Sequence, residues 1–182
     1  LTGFTVQNGA AQNGAGILVA NNSAPVIENN VITNNIASED GGGLYYYDSA
    51  PVVRFNKITN NQANRGGGLT CGRDSGTPAT IVRNTISGNT ATVGGGGIFV
   101  HASASPTLLN NIIANNSAEN GGGVYLASSS GSLINCTLHG NSAAQYGGGL
   151  LAYYASPMVR NCIITGSPSG GGIYVSSGTP TL

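Results

Sequence analysis

Residues 115–126 read "NNSAENGGGVYL". Three glycines stand directly before a β-type run. Glycine in regular structure costs roughly 0.5–1 kcal/mol relative to alanine, so something must offset a run of three. The arrangement recurs. Glycine clusters occupy 14–16 (with Ala15 at the centre), 41–43, 66–68, 95–97, 121–123, 147–149 and 170–172. Their starts lie 23 to 29 residues apart and average 26. A fixed period of this size marks a solenoid, whose repeats bury their apolar faces only against one another.

Each period holds three short apolar segments. The first follows the glycines, as in Ile17-Leu18-Val19, Leu44-Tyr45-Tyr46, Ile98-Phe99-Val100 and Val124-Tyr125-Leu126. The second follows a proline: "PVI" at Pro25, "PVV" at Pro51, "PTL" at Pro106 and "PMV" at Pro157. The third reads "VIT", "KIT", "TIS", "IIA", "TLH" and "IIT". None is long enough for a helix, and no 3.6-residue periodicity appears. Three strands per period, separated by turn residues, predict an all-β, three-sided parallel β-helix of about seven coils, one domain over 1–182.

Aligning the third segments gives one aliphatic column: Val6, Ile32, Ile58, Ile86, Ile113, Leu138 and Ile164. It must point inward. Two residues earlier stand Phe4, Asn30, Asn56, Asn84, Asn111, Cys136 and Cys162. Three residues later stand Gly9, Asn35, Asn61, Asn89, Asn116, Asn141 and Ser167. These columns predict two asparagine ladders. Asn tolerates tight-turn backbone, and amides stacked about 4.8 Å apart bond to the coils above and below. Cys136 and Cys162, one coil apart, read as a reduced pair replacing Asn. Parallel side-chain directions suit a disulfide poorly.

The stretches "ITNNIASEDGGGLYY" (32–46), "ISGNTATVGGGGIFV" (86–100) and "LHGNSAAQYGGGLLA" (138–152) resemble the right-handed parallel β-helix repeats of the pectate-lyase-like superfamily. They are also similar to the repeats of bacterial polymorphic outer-membrane proteins, which pair an F-x-x-N element with a following G-G-A-I. Here Ile or Leu replaces the aromatic and a third Gly replaces the Ala. The resemblance implies right-handedness. It implies no single function, because the superfamily holds lyases, hydrolases, adhesins and structural proteins.

Composition narrows the functional classes. Lys+Arg and Asp+Glu balance at 6 each, and charged residues make up 7% of the chain. That excludes the basic footprint of a nucleic-acid binder and a polybasic membrane patch. No apolar run is long enough to span a bilayer. The chain begins at Leu1 without Met, which reads as a processed form or an excerpt.

Lyases and hydrolases on this fold need clustered carboxylates. The six acids scatter over the coils, leaving Asp48 and Asp74 as the one candidate dyad, and no supporting constellation accompanies them. Glu28 and Arg54 share an outward column and predict a surface pair. His101 and His139 lie on different faces, so no metal site is expected, and no cofactor. Cys71 shares an inward column with Val100 and Leu126.

Two surfaces remain. Tyr45, Tyr47, Phe99, Tyr125, Tyr153 and Tyr174 fall in two adjacent outward columns and predict a lateral contact face for protein or glycan. At the ends, Leu1 and Leu182 fall in one column with Ile27, Val53, Ile81, Leu108, Leu133 and Val159, so the end meets the start in register. Head-to-tail stacking would set Leu1, Phe4, Val6, Ile17 and Val19 against Ile164, Ile173, Val175 and Leu182. The partner is either a second copy or flanking coils of a longer chain. The expectation is a non-catalytic structural protein, extracellular or at the cell surface, forming a filament or scaffold. The alternative is a carbohydrate-active or carbohydrate-binding β-helix, or an adhesin fragment.

Overall fold

The computed structural model describes residues 1–74 and 76–182. Among these there is no helix; every regular element is a short parallel strand. Strands one period apart pair with each other, building four sheets of seven, six, seven and six strands along a solenoid. One coil shows the pattern. Ile112–Ala114 lies in the first sheet, Ser117–Asn120 in the second, Val124–Ala127 in the third and Ser132–Ile134 in the fourth.

The second sheet is the difference from three strands per period: Ser117–Asn120, among the residues expected to form turns, is a fourth strand. Its inward positions are alanines: Ala11 pairs with Ala37, Ala63 with Ala91 and Ala118 with Ala143. This side of the coil admits only a methyl group, so the strand carries no large apolar residue to announce it. Ala is also a weak strand former.

The core is a set of stacked columns. Ile32, Ile58, Ile86, Ile113 and Leu138 are fully buried in the first sheet, paired in the register that the sequence alignment sets. Ile27, Val53, Ile81, Leu108, Leu133 and Val159 line the fourth, and Leu44, Leu69, Ile98, Val124 and Leu150 the third. Each such side chain contributes about 1.5–3 kcal/mol by leaving water.

The two asparagine columns are buried and fully bonded. Asn116 Nδ2 donates to Ile86 O at 3.0 Å and to Asn141 Oδ1 at 3.0 Å. Its Oδ1 accepts from the backbone N of Asn89 at 2.9 Å and from Asn89 Nδ2 at 3.0 Å. The other ladder repeats this: Asn56 Nδ2 donates to Ile27 O and to Asn84 Oδ1. The tight-turn backbone expected of these rungs belongs instead to the residue before each. Asn29, Asn34, Asn60, Asn110 and Asn115 have φ between 54° and 57°. The recurrent "NN" therefore divides its work: the first Asn turns the chain and the second enters the ladder.

Cys136 and Cys162 are free thiols that continue one ladder. Cys136 N donates to Cys162 Sγ at 3.4 Å, and Cys136 Sγ donates to Leu108 O at 3.4 Å, the bond an Asn amide makes elsewhere. Burial raises the Cys136 thiol above its usual range, which keeps it protonated.

The three glycines each answer a different demand. Gly121 has φ +57, a left-handed conformation that a side chain disfavours. A Cβ on Gly122 would strike the backbone carbonyl of Ser142 in the next coil. A Cβ on Gly123 would lie 2.5 Å from Gly149 O and 3.0 Å from Asn141 Nδ2. Their N–H groups meanwhile donate straight to the next coil: Gly121 to Tyr146 O at 2.9 Å, Gly122 to Gly147 O at 3.1 Å and Gly123 to Gly148 O at 2.9 Å. Close backbone stacking around the ladder offsets the glycine cost.

Candidate functional site

Three regions hold the residues that the sequence singled out. The first is the pair of solenoid ends. Thr2 bridges to Glu28 and Thr181 to Met158, which sets Leu1 beside Ile27 and Leu182 beside Val159 in the same inward column. At one end Leu1 is 50% exposed and Phe4 56%, with Val6 and Ile17 partly covered and Val19 buried. At the other, Leu182 is 69% exposed and Ile173 41%, with Ile164 and Val175 partly covered. Ile164, Ile173 and Leu182, with Val159 and Cys162, line an open cavity of about 340 Å³. These are core positions without an overlying coil.

The second region is the outer face of the third sheet. Leu18, Tyr45, Thr70, Phe99, Tyr125, Leu151 and Tyr174 stack in one column. The column is not uniformly exposed. Phe99, expected on the surface, is 5% exposed, and Leu151 is 3%. The His101 ring stacks on Phe99 at 5.2 Å, and Tyr125 meets it edge-on at 5.3 Å. The Arg65 guanidinium stands 5.8 Å from its centroid, within range of a cation–π contact. Tyr45, Tyr47 and Tyr125 are half-buried, while Tyr153 and Tyr174 remain exposed.

Beside Phe99 lies a charged cluster that the sequence reading did not assemble. Asp40 and Arg65 oppose each other at the ends of paired strands of the second sheet, with Arg65 Nη2 donating to Asp40 Oδ2 at 2.8 Å. Asp40 Oδ1, Arg65 Nε and His101 Nε2 are buried without a partner among the described residues. Burial raises the Asp40 carboxyl above its usual range, with Arg65 and His101 pulling the other way. Burial likewise lowers His101, against the pull of Asp40. Burial, reinforced by Asp40, pushes the Tyr45 hydroxyl up to about 12. A signal existed: Asp40 and Arg65 each precede the first glycine of a cluster. Aligning on the third segment hid it, because the intervening stretch varies in length.

The third region is the candidate carboxylate pair. Asp48 and Asp74 do not form a dyad. Both Asp48 oxygens accept from Arg73, Oδ2 at 2.7 Å from Nη2, and the Arg73 hydrogen bond lowers the carboxyl's pKa. Asp74 accepts from the buried Tyr46 hydroxyl at 3.1 Å and from Ser105 N at 2.7 Å. Each carboxylate has its own structural partner, one closing a surface ion pair and one satisfying an inward tyrosine. Glu28 and Arg54 pair at 2.7 Å on the surface, a contact worth at most about 1 kcal/mol. Among the described residues no three His, Cys, Asp or Glu side chains cluster as metal ligands.

The family described as "Right handed beta helix region" matches residues 15–182. The chain belongs to that right-handed β-helix family. No curated protein and no solved structure matches it. As a right-handed β-helix, the chain has the coil sense that its repeats led one to expect. The family spans enzymes and non-enzymes, so the β-helix alone assigns no chemistry.

Proposed function

We propose that this β-helix is a non-catalytic structural module outside the cell, whose end coils are covered head to tail, by a second copy or by flanking coils of a longer chain. What supports the reading is the uncovered core at both ends, held in matching register by the Leu1 and Leu182 positions. Covering Leu1, Phe4, Ile173 and Leu182 would stabilise the contact by roughly 1.5–3 kcal/mol for each side chain fully buried. Strand edges left unpaired at the same ends would gain backbone partners. Each copy joins its neighbour through two different surfaces, and such a contact propagates as a filament unless it closes into a ring. The non-catalytic half of the reading is supported by the engagement of Asp48 and Asp74 with other groups.

Electron microscopy of the purified chain tests this. Continuous fibres with an axial repeat of about 33 Å, seven strand spacings, are expected. Ile164→Glu, which sets a charge into the end cavity, should return the sample to monomers. A wild-type chain that sediments only as a monomer at high concentration would overturn self-stacking.

A further inference from the structure

The tyrosine face opens into a defined cleft on its last coils. Tyr125, Leu151 and Tyr174 stack in one column, Ala127 opposes Tyr153 in the next, and Asn120 opposes Tyr146 at the edge of the second sheet. Leu151 is buried and forms the floor. Tyr146 and Tyr174 rings lie 4.5 Å apart, stacked at 30°. With Asn120, Gln145 and Ser176 they enclose about 250 Å³. That is below the roughly 300–1,000 Å³ of pockets for drug-sized ligands and suits a single ring.

Its chemistry is amphipathic and uncharged. Tyr146, Tyr153 and Tyr174 are exposed; Tyr146 and Tyr174 cover one ring face of each other and Tyr154 packs at right angles to Tyr153 at 4.7 Å, so each of the three rings is partly covered by a neighbouring aromatic. Their hydroxyls have no partner among the described residues, unlike the Tyr46 hydroxyl bound to Asp74. Carboxamides of Asn120 and Gln145 stand at the rim, and the carboxylate of Glu119 is held by Gln145 Nε2. No Lys, Arg or acidic side chain lines the cleft.

We propose that this cleft binds a neutral sugar residue of an oligosaccharide. A pyranose presents C–H faces to aromatic rings and hydroxyls at its edge to amide and phenol groups. An acidic sugar would find no cation here, and an extended peptide would find no free sheet edge, because the third sheet continues on both sides of Leu151. Tyr146 was absent from the sequence-derived face because it lies on the unrecognised second-sheet strand. Its position is what turns a tyrosine face into a cleft.

Calorimetric titration with cellohexaose, mannohexaose and xylohexaose, beside polygalacturonate and a tyrosine-free peptide mixture, tests the proposal. At least one neutral hexasaccharide should bind, and Tyr146→Ala with Tyr174→Ala should weaken it about tenfold or more. Phe55→Ala, an exposed aromatic on another face, should leave binding unchanged. Circular dichroism checks that the variants keep the fold, and Tyr146→Phe with Tyr174→Phe serves if the alanine pair does not. Binding of the peptides or the acidic polymer alone, no binding at all, or unchanged affinity in the folded double variant would overturn it.

Discussion

Gly97 and Gly172 occupy one column of the solenoid and face opposite circumstances. A Cβ on Gly97 would lie 2.6 Å from Gly123 O and 3.0 Å from both Asn116 Nδ2 and Ile113 Cγ2. On Gly172 it would meet only Ile164 Cγ2, at 3.8 Å. Gly97→Ala should therefore destabilise the fold by about 1–3 kcal/mol through overpacking, and Gly172→Ala should stay within about 0.5 kcal/mol. Urea unfolding of both variants checks this; equal losses would mean that stacking does not explain the third glycine. His101 makes a second residue-level prediction. Burial holds its pKa below the ordinary value of about 6.5. The unfolded chain then binds more protons in that window, so stability at this site falls as pH drops from about 6.5 through the folded pKa. Asp40 acts in the opposite sense, because its raised pKa lets the folded chain take up a proton first. The difference in thermal midpoint between wild type and His101→Gln isolates the histidine. Wild type should lose more than the variant between pH 7 and pH 5, and parallel profiles would remove His101 from the account.

At the scale of elements, the ladders bind coils together more specifically than the aliphatic columns do. Asn116→Ala would leave Asn89 N and Nδ2 without Asn116 Oδ1, and Ile86 O and Asn141 Oδ1 without Asn116 Nδ2. Buried orphans cost about 1–3 kcal/mol each, so a loss of roughly 3–5 kcal/mol is expected, against about 0.5 kcal/mol or less for an exposed substitution such as Gln12→Ala. Comparable denaturation midpoints for the two would sink this. The ladders and the first, third and fourth sheets were legible because each repeats one residue type at one offset. The second sheet was not, because its inward alanines and outward polar residues carry no strand signature. That omission also hid both side-chain groupings that grow from it, Asp40 with Arg65 and His101, and Tyr146 with Tyr174. Asp48 and Asp74 stand out in the sequence as the one candidate pair, but which partner each takes depends on loop conformations that repeat-counting does not give.

At the scale of the whole molecule, the uncovered end positions tie residue to assembly. Gly172 is open because no coil lies over it. If a second copy stacks there, its glycine carbonyl takes the place that Gly123 O takes over Gly97. Gly172→Ala should then leave the monomer intact and stop filament growth, read by light scattering and circular dichroism on the same sample; fibres of undiminished length would count against the register proposed. The ladders add a property of the body as a whole. Every rung passes its amide hydrogen the same way, Asn30 to Asn56 to Asn84 to Asn111, and Asn35 to Asn61 to Asn89 to Asn116 to Asn141. The rung-to-rung bonds thus give the solenoid a direction: each ladder Oδ1 accepts from the coil before it, while each Nδ2 reaches the next rung as well as a carbonyl of the coil before. Copies stacked head to tail keep that direction, and copies meeting nose to nose reverse it. Any fibre built from this chain has an arrow, and its two tips grow by different chemistry.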